Sequence, residues 1–334
     1  MLLDGQQASS ITTAAQALRD GQLVGLPTET VYGLAADATQ ADAVAAIFRT
    51  KGRPSDHPLI VHVAEAQDAD HFAIDIPAFA RTLMQAFWPG PLTLILPRAP
   101  GVAAAAAGQQ DTVGLRCPSH PVAQALLRAC RGLGVPGVAA PSANAFGRVS
   151  PTSAAHVQAE FGDALLILDG GDCEVGIEST IVDCSRGAPV LLRPGGISRS
   201  QIEAACGLPV LAPQALAQPD PKASGTLEAH YAPSAPVRLM DAKALQAALD
   251  ILGPDATGIA LWVRSPLKVR APQLLVRRMP DDAAAAAHQL FAMLRSFDDQ
   301  GCKLIWIETP PATQAWDGVR DRLNRASAAT VNPA

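Results

Sequence analysis

From residue 10 to about 205, short apolar runs of strand length alternate with stretches of helical periodicity, and this alternation commits the chain to an α/β fold. The strand-like runs are Leu23–Leu26, Leu59–Val63, Leu92–Leu96, Val113–Arg116, Gly137–Ala140, Leu165–Leu168, Thr180–Asp183 and Val190–Leu192. Helical candidates lie near 10–20, 40–50, 77–87, 121–131, 152–161 and 198–205. Gly21 reads as the stop of the first helix and Pro77 as a first helical residue. Several strands follow one another with no helix between them, so the sheet is expected to be mixed.

Residues 212–236 change character: proline, alanine and small polar residues replace apolar periodicity, as in a linker. Beyond it, strands at 237–240, 259–263, 274–278 and 304–307 and helices at 242–252, 282–297 and 313–327 describe a second, small α/β domain. The reading is therefore a domain over 1–211, a linker over 212–236 and a domain over 237–334. The linker is longer than a compact domain needs and holds one of only two tyrosines, Tyr231, so it is expected to act as an active-site lid. At 334 residues and 49% hydrophobic, the chain can bury the cores this requires.

Other classes are disfavoured by composition. No apolar run approaches the roughly 18–20 residues of a membrane span, and MLLDGQQASS lacks the pattern of a secretory signal, so a cytoplasmic protein without membrane contact is expected. Six cysteines form no CxxC pair and the histidines no HExxH, which leaves no zinc site or disulfide framework to propose. A net charge of −5 with 4% aromatic residues argues against a surface built to grip a phosphate backbone or stack bases, and no stable nucleic-acid binding is expected.

The informative residues sit where apolar strands turn polar. In GLPTETVYGLAADA, Pro27 ends a strand and Thr28, Glu29, Thr30 and Tyr32 follow, where open α/β sheets meet ligands. The competing reading is a capped turn, with Thr28 or Thr30 as N-cap of a helix over Val31–Ala36. In KGRPSDHPLIVHV, Lys51 and Arg53 occupy a Gly-containing turn, placed to converge on a polyphosphate or to complement a helix C-terminus. PGVAAPSANAFGRVSP runs from a strand into Ser142, Asn144, Arg148 and Ser150; other strands end at Arg116 and Arg193, and one begins at Ser179 and Thr180. Together these ends suggest one face built for an anion, without a Walker or dinucleotide-binding glycine motif.

The ordered series PTETVYGL, KGRP with PLIVHV, WPGPLTLIL, VGLRCP, APSAN with GRVSPT, ESTIVD, LLRPGG and HYAP resembles the YrdC-like superfamily. Its order and the appended small domain most resemble the long form, the threonylcarbamoyl-AMP synthases. The resemblance implies a twisted mixed sheet with a concave ligand face, followed by a Rossmann-like C-terminal domain. The activity it implies joins L-threonine, bicarbonate and ATP into threonylcarbamoyl-adenylate and pyrophosphate, with Mg²⁺ carried on the ATP. A separate tRNA-modifying complex would take the product. By motif position, Thr30, His62, Ala140 and Ser179 go to threonine, with Thr112 and Arg116 near the junction; Lys51, Arg53, His57, Ser142, Asn144, Ser150, Arg193 and Tyr231 go to the nucleotide. Lys51 and Arg53 would also stabilise the leaving pyrophosphate. His57 stands where the family often has asparagine, and SGTLEAHYAP lacks the Met-Lys-Tyr character common before the HYxP of relatives. Two rival readings are an RNA-binding module and a transferase that uses carbamoyl phosphate.

Overall fold

The computed structural model describes residues 1–215, 223 and 230–329. The chain divides into two compact units, Met1–Phe146 with Ser150–Thr226, and Gly147–Val149 with Leu227–Ala334.

In the first unit the elements are β1 (Leu2–Asp4), α1 (Ala8–Arg19), β2 (Val24–Leu26), β3 (Gly33–Asp37), α2 (Ala41–Lys51), β4 (Ile60–His62), α3 (Ala69–Phe72), α4 (Ala78–Phe87), β5 (Leu92–Pro97) and β6 (Thr112–Arg116). There follow α5 (Pro121–Gly132), β7 (Val138–Ala139), α6 (Ala154–Phe161), β8 (Leu166–Asp169), β9 (Thr180–Asp183), β10 (Val190–Arg193) and α7 (Arg199–Cys206). One ten-stranded sheet runs in the order β1-β8-β2-β3-β7-β4-β6-β5-β9-β10 and mixes parallel with antiparallel neighbours, as the missing crossover helices require.

The helix considered over Val31–Ala36 does not form. Residues 33–37 are strand β3, which returns antiparallel to β2 with Val24 opposite Ala35 and then pairs with β7. All five residues of β3 are buried, so sheet pairing and burial override the helical preference of its alanines. Pro77 is the N-cap of α4 and Ala78 its first residue, so the helix begins one position later than expected. Gly21 closes α1 with φ of 79°, a conformation glycine adopts without cost.

Period-2 alternation sorts the central strands. Val61, Leu92, Leu94, Leu115 and Val182 turn into the main apolar core with α2 and α4. Their neighbours Ile60, Thr93, Ile95, Gly114 and Ile181 turn the other way and, with Pro58, Gln110, Thr112 and Ala223, line a cleft of about 300 Å³.

The second unit holds β11 (Val237–Met240), α8 (Ala242–Ile251), β12 (Ile259–Val263), β13 (Leu275–Arg278), α9 (Ala283–Asp299), β14 (Leu304–Glu308) and α10 (Asp317–Ala328). Its four strands are all parallel in the order β11-β14-β12-β13, a Rossmann-like arrangement. Asp241 and Asp282 cap α8 and α9 by accepting from backbone N–H groups of their first turns. At the carboxyl end of this sheet, where such folds commonly bind ligands, the Glu308 carboxylate accepts the backbone N–H groups of Arg264 and Ser265, each at 2.7 Å, and the Ser265 hydroxyl at 2.9 Å. The protein's own carboxylate thus fills the amide-lined position after β12. Burial would raise the Glu308 pKa, but its donors at Ser265 and Arg264 outweigh that and lower it.

Gly195 lies so close to the start of β9 that an added Cβ would stand 2.5 Å from the Thr180 nitrogen and 2.8 Å from the Glu178 oxygen. At Gly196 the nearest atom to an added Cβ would be 3.4 Å away. Gly195→Ala should therefore cost about 1–3 kcal/mol of stability by overpacking, while Gly196→Ala should cost much less. Urea unfolding of the two variants checks the contrast, and equal midpoints would remove the close-approach role of Gly195.

Candidate active site

Four cations of the first unit are buried at or near the polar strand ends: Lys51 (3% exposed), Arg53 (8%), Arg116 (4%) and Arg193 (2%). A buried charge requires compensation, and each of the four finds partners within the protein.

Arg116 closes β6. One of its terminal nitrogens, Nη1, donates to Thr30 Oγ1 at 2.8 Å, and Nη2 lies 2.7 Å from Glu29 Oε1. Thr30 Oγ1 is in turn 2.9 Å from Thr28 Oγ1, and the Thr28 hydroxyl donates to the Val31 carbonyl at 2.6 Å. The opening run of hydroxyls is therefore a buried network on an arginine and not a helix cap. His62 pairs with Arg116 across β4 and β6. Burial, reinforced by the Arg116 charge, pushes the His62 pKa down to about 3, so the ring is neutral at pH 7. It is suited to exchange hydrogen bonds with a neutral group and poorly suited to hold a proton.

Ser179, just before β9, has its hydroxyl 2.7 Å from that of Thr93. Arg193 donates to the Ser179 carbonyl through Nε at 3.1 Å and Nη2 at 2.9 Å, and Nη2 also reaches Ser179 Oγ at 3.2 Å. Thr93 and Thr112 both line the cleft. The Ser150 hydroxyl donates to Glu178, one residue before Ser179.

Lys51 is the last residue of α2 and Gly52, with φ of 62°, is its C-cap. That left-handed turn points the chain back, and the Lys51 ammonium donates to the carbonyl of Ser142 at 2.6 Å and to that of Asn144. Burial and the charge of Arg53 hold the Lys51 pKa well below its usual value. Arg53 donates to the Pro58 carbonyl at 3.0 Å and lies 5.6 Å from the centre of the Phe146 ring, against which His57 also packs edge-on. Ala140 is buried, and its N–H donates to the Ile60 carbonyl at 3.0 Å. Gly33 pairs with Ser142, and the Ala143 N–H donates to the Tyr32 carbonyl at 2.8 Å, so the segments following β2 and β7 interlock.

Thirteen of the expected site residues thus lie in the first unit, and of these Thr112 lines the cleft. Tyr231 belongs to the second unit. There its ring is 1% exposed, 5.3 Å from that of Phe291 and 5.5 Å from the Arg322 guanidinium. Arg148 also lies in the second unit, where it pairs with Ala232 and sits near Asp298. The lid expected over the linker falls largely on residues 216–222 and 224–229, outside the described residues. Ala223, a described residue of the linker, lines the cleft.

From the sequence alone Thr93, Phe146 and Glu178 have no role, and Glu29 is only one of the polar residues placed at a ligand-facing strand end. A hydroxyl inside the apolar run LTLIL was the available signal for Thr93. Nothing in SANAF marks Phe146 as the ring beneath Arg53.

Both units resemble known proteins. The family model described as telomere recombination, covering the Sua5, YciO and YrdC proteins, matches residues 16–195, and that of the threonylcarbamoyl-AMP synthase C-terminal domain matches residues 197–328. The chain belongs to the threonylcarbamoyl-AMP synthase family. It is 39% identical to the threonylcarbamoyl-AMP synthase of Bacillus subtilis, over 96% of this chain and 94% of that one. It is 38% identical to that of Pyrococcus abyssi, over 95% and 94% of the two chains. Among solved structures, P. abyssi Sua5 complexed with L-threonine superposes with a TM-score of 0.85 at 36% identity, covering 96% of this chain and 94% of that one. A double variant of the same protein gives a TM-score of 0.87 at 34% identity, covering 99% and 97%. Both units of this threonylcarbamoyl-AMP synthase family member therefore have counterparts in solved relatives.

Because the folded pKa of His62 lies below its ordinary value of 6.5, the unfolded chain binds the extra proton between about pH 6.5 and 3. Stability should fall as pH falls through that window, by a total on the order of a few kcal/mol from this group. His62→Gln should lose less stability than the parent protein between pH 7 and pH 4 in urea unfolding. Parallel losses would show that His62 is not the buried neutral group responsible.

Proposed function

We propose that the protein is an L-threonylcarbamoyladenylate synthase, which makes threonylcarbamoyl-AMP and pyrophosphate from L-threonine, bicarbonate and ATP. One observation carries the reading: a buried arginine, a neutral histidine and two hydroxyl groups are gathered beside a cleft lined in part by Pro58, whose carbonyl is held by Arg53, two residues from Lys51. A zwitterionic amino acid with a side-chain hydroxyl matches the first group, and a polyphosphate matches the second. Family membership and the L-threonine complex of the P. abyssi relative support the same assignment.

In this reading Arg116, Thr30, His62, Thr112, Ser179 and the backbone at Ala140 hold threonine. Lys51, Arg53, His57, Ser142, Asn144, Ser150 and Arg193 hold ATP. The threonine amine attacks bicarbonate or the CO2 derived from it, and an oxygen of the resulting carbamate attacks the α-phosphorus as pyrophosphate leaves. Such a transfer depends on positioning and charge neutralisation more than on a covalent nucleophile. Lys51 fixes the 142–144 segment through its two carbonyl contacts, and Arg53 is braced on Phe146 and the Pro58 carbonyl. Among the described residues no three His, Cys, Asp or Glu side chains are grouped to hold a metal. The proposal therefore leaves Mg²⁺ on the triphosphate and water, where it would neutralise phosphate charge. Among the described residues no helix is long and apolar enough to cross a membrane. We place the reaction in the cytoplasm, with the labile product passed to a separate tRNA-modifying complex and without stable binding of RNA by this chain.

Pyrophosphate release in bicarbonate buffer tests the assignment. Threonine should be the preferred amino acid, serine should be penalised by about 1–3 kcal/mol for one missing methyl, and valine should be rejected more strongly because it leaves hydroxyl-binding groups unpaired. Valine turning over faster than serine would remove the hydroxyl-binding role. Lys51→Ala and Arg53→Ala should each lower kcat by about 10²–10³, whereas near-parental rates in both would refute the triphosphate assignment.

A further inference from the structure

Glu29 stands in the threonine-facing network without a part in the assignment above, and its surroundings give it one. It is 3% exposed, its carboxylate lies 2.7 Å from Arg116 Nη2, and its own carbonyl accepts the Val175 N–H at 2.7 Å, which anchors the backbone that carries it. On the other side Arg116 Nη1 is held by Thr30, whose hydroxyl is fixed by Thr28. One terminal nitrogen of the guanidinium is thereby hydrogen-bonded to Thr30 and the other ion-paired with Glu29, adjacent residues of one loop. Among the described residues the Glu29–Arg116 Nη2 contact is ionic without hydrogen-bond geometry, and the buried Arg116 Nε and the Nδ1 of His62, its partner across the strands, have no hydrogen-bond partner.

We infer that Glu29 is a positioning residue that aims the Arg116 guanidinium at the substrate carboxylate and balances its charge until that carboxylate arrives. The inference rests on the synthase reading. Geometry supplies the reason. A guanidinium is a planar fork, so fixing two of its nitrogens fixes the direction of the third. A buried guanidinium without a counter-charge would also draw in whatever small anion is present. Glu29 is already ionically matched to Arg116, so an incoming carboxylate must bring its own positive charge to leave the site balanced. An α-amino acid does so with its ammonium group, whereas a hydroxy acid does not. The pair is thus a filter for zwitterions.

Two substitutions separate this role from simple support of the fold. Glu29→Asp keeps the charge and shortens the reach by one methylene, which withdraws Arg116 from alignment. It should raise the threonine KM roughly tenfold to a hundredfold, with the ATP KM within about twofold and the thermal midpoint close to that of the parent. Glu29→Gln keeps the shape and removes the charge, so chloride should become a competitive inhibitor against threonine. An unchanged threonine KM in folded Glu29→Asp, or an equal rise in both KM values, overturns the inference. If Glu29→Asp does not fold, Glu29→Gln decides: chloride competition sustains the role and chloride indifference ends it. The parent protein is assayed first. Failure of that protein to form the adenylate from threonine would defeat the synthase reading itself, separately from Glu29.

Discussion

The polar face of the first unit is organised by four cations that the protein, and not bulk water, must solvate. Taking an ammonium or guanidinium out of water costs several kcal/mol unless charge or dipoles replace the lost hydration. The replacement differs at each position. Arg116 receives a carboxylate and a hydroxyl, Arg193 receives the Ser179 carbonyl and hydroxyl, Lys51 receives two carbonyls, and Arg53 receives carbonyls and an aromatic face. Each solution fixes a neighbouring segment: the 28–31 turn, the start of β9, the 142–144 loop and the 53–58 turn. These loops therefore owe their conformations to the charges they surround, and a ligand proposed for this face would meet polar groups already held in place. Such preorganisation reduces the reorganisation left for the moment of reaction.

Much of this was legible in the sequence because apolar alternation and polar strand ends are local signals. The boundaries of β9 and β11 coincide with the runs that predict them, and Arg116 and Arg193 close their strands as expected. Two strands escaped. β1 is three residues long and exists only by parallel pairing with β8. β3 is written in LAAD, whose helix formers conceal a strand fixed by neighbours on both sides. Neither pairing leaves a trace in nearby sequence.

The site shows a similar division. Hydroxyls and cations stand out against an apolar chain, so Thr30, Arg53 and Ser179 could be read directly. Their orienting partners could not. Glu29 looks like one more polar residue in a turn until Arg116, brought from a distant strand, lies against it. Phe146 looks like ordinary core until Arg53 lies over it. A residue whose role is to aim another residue acquires that role only in three dimensions.

The three-residue excursion Gly147–Val149 has a kinetic consequence. These residues leave the first unit in the middle of its sequence and join the second, where the Ala232 N–H donates to the Gly147 carbonyl at 2.8 Å, Arg148 meets Ser234 and Asp298, and Arg295 reaches the Val149 carbonyl. A ribosome delivers the chain from its N-terminus, so this stretch emerges long before any of its partners. Until residues near 298 are released, the contacts described for residues 147–149 cannot all form, and closing that loop waits on the C-terminal unit. A nascent chain stalled before that unit would carry most of the residues proposed for the site and still lack these contacts between Asn144 and Ser150.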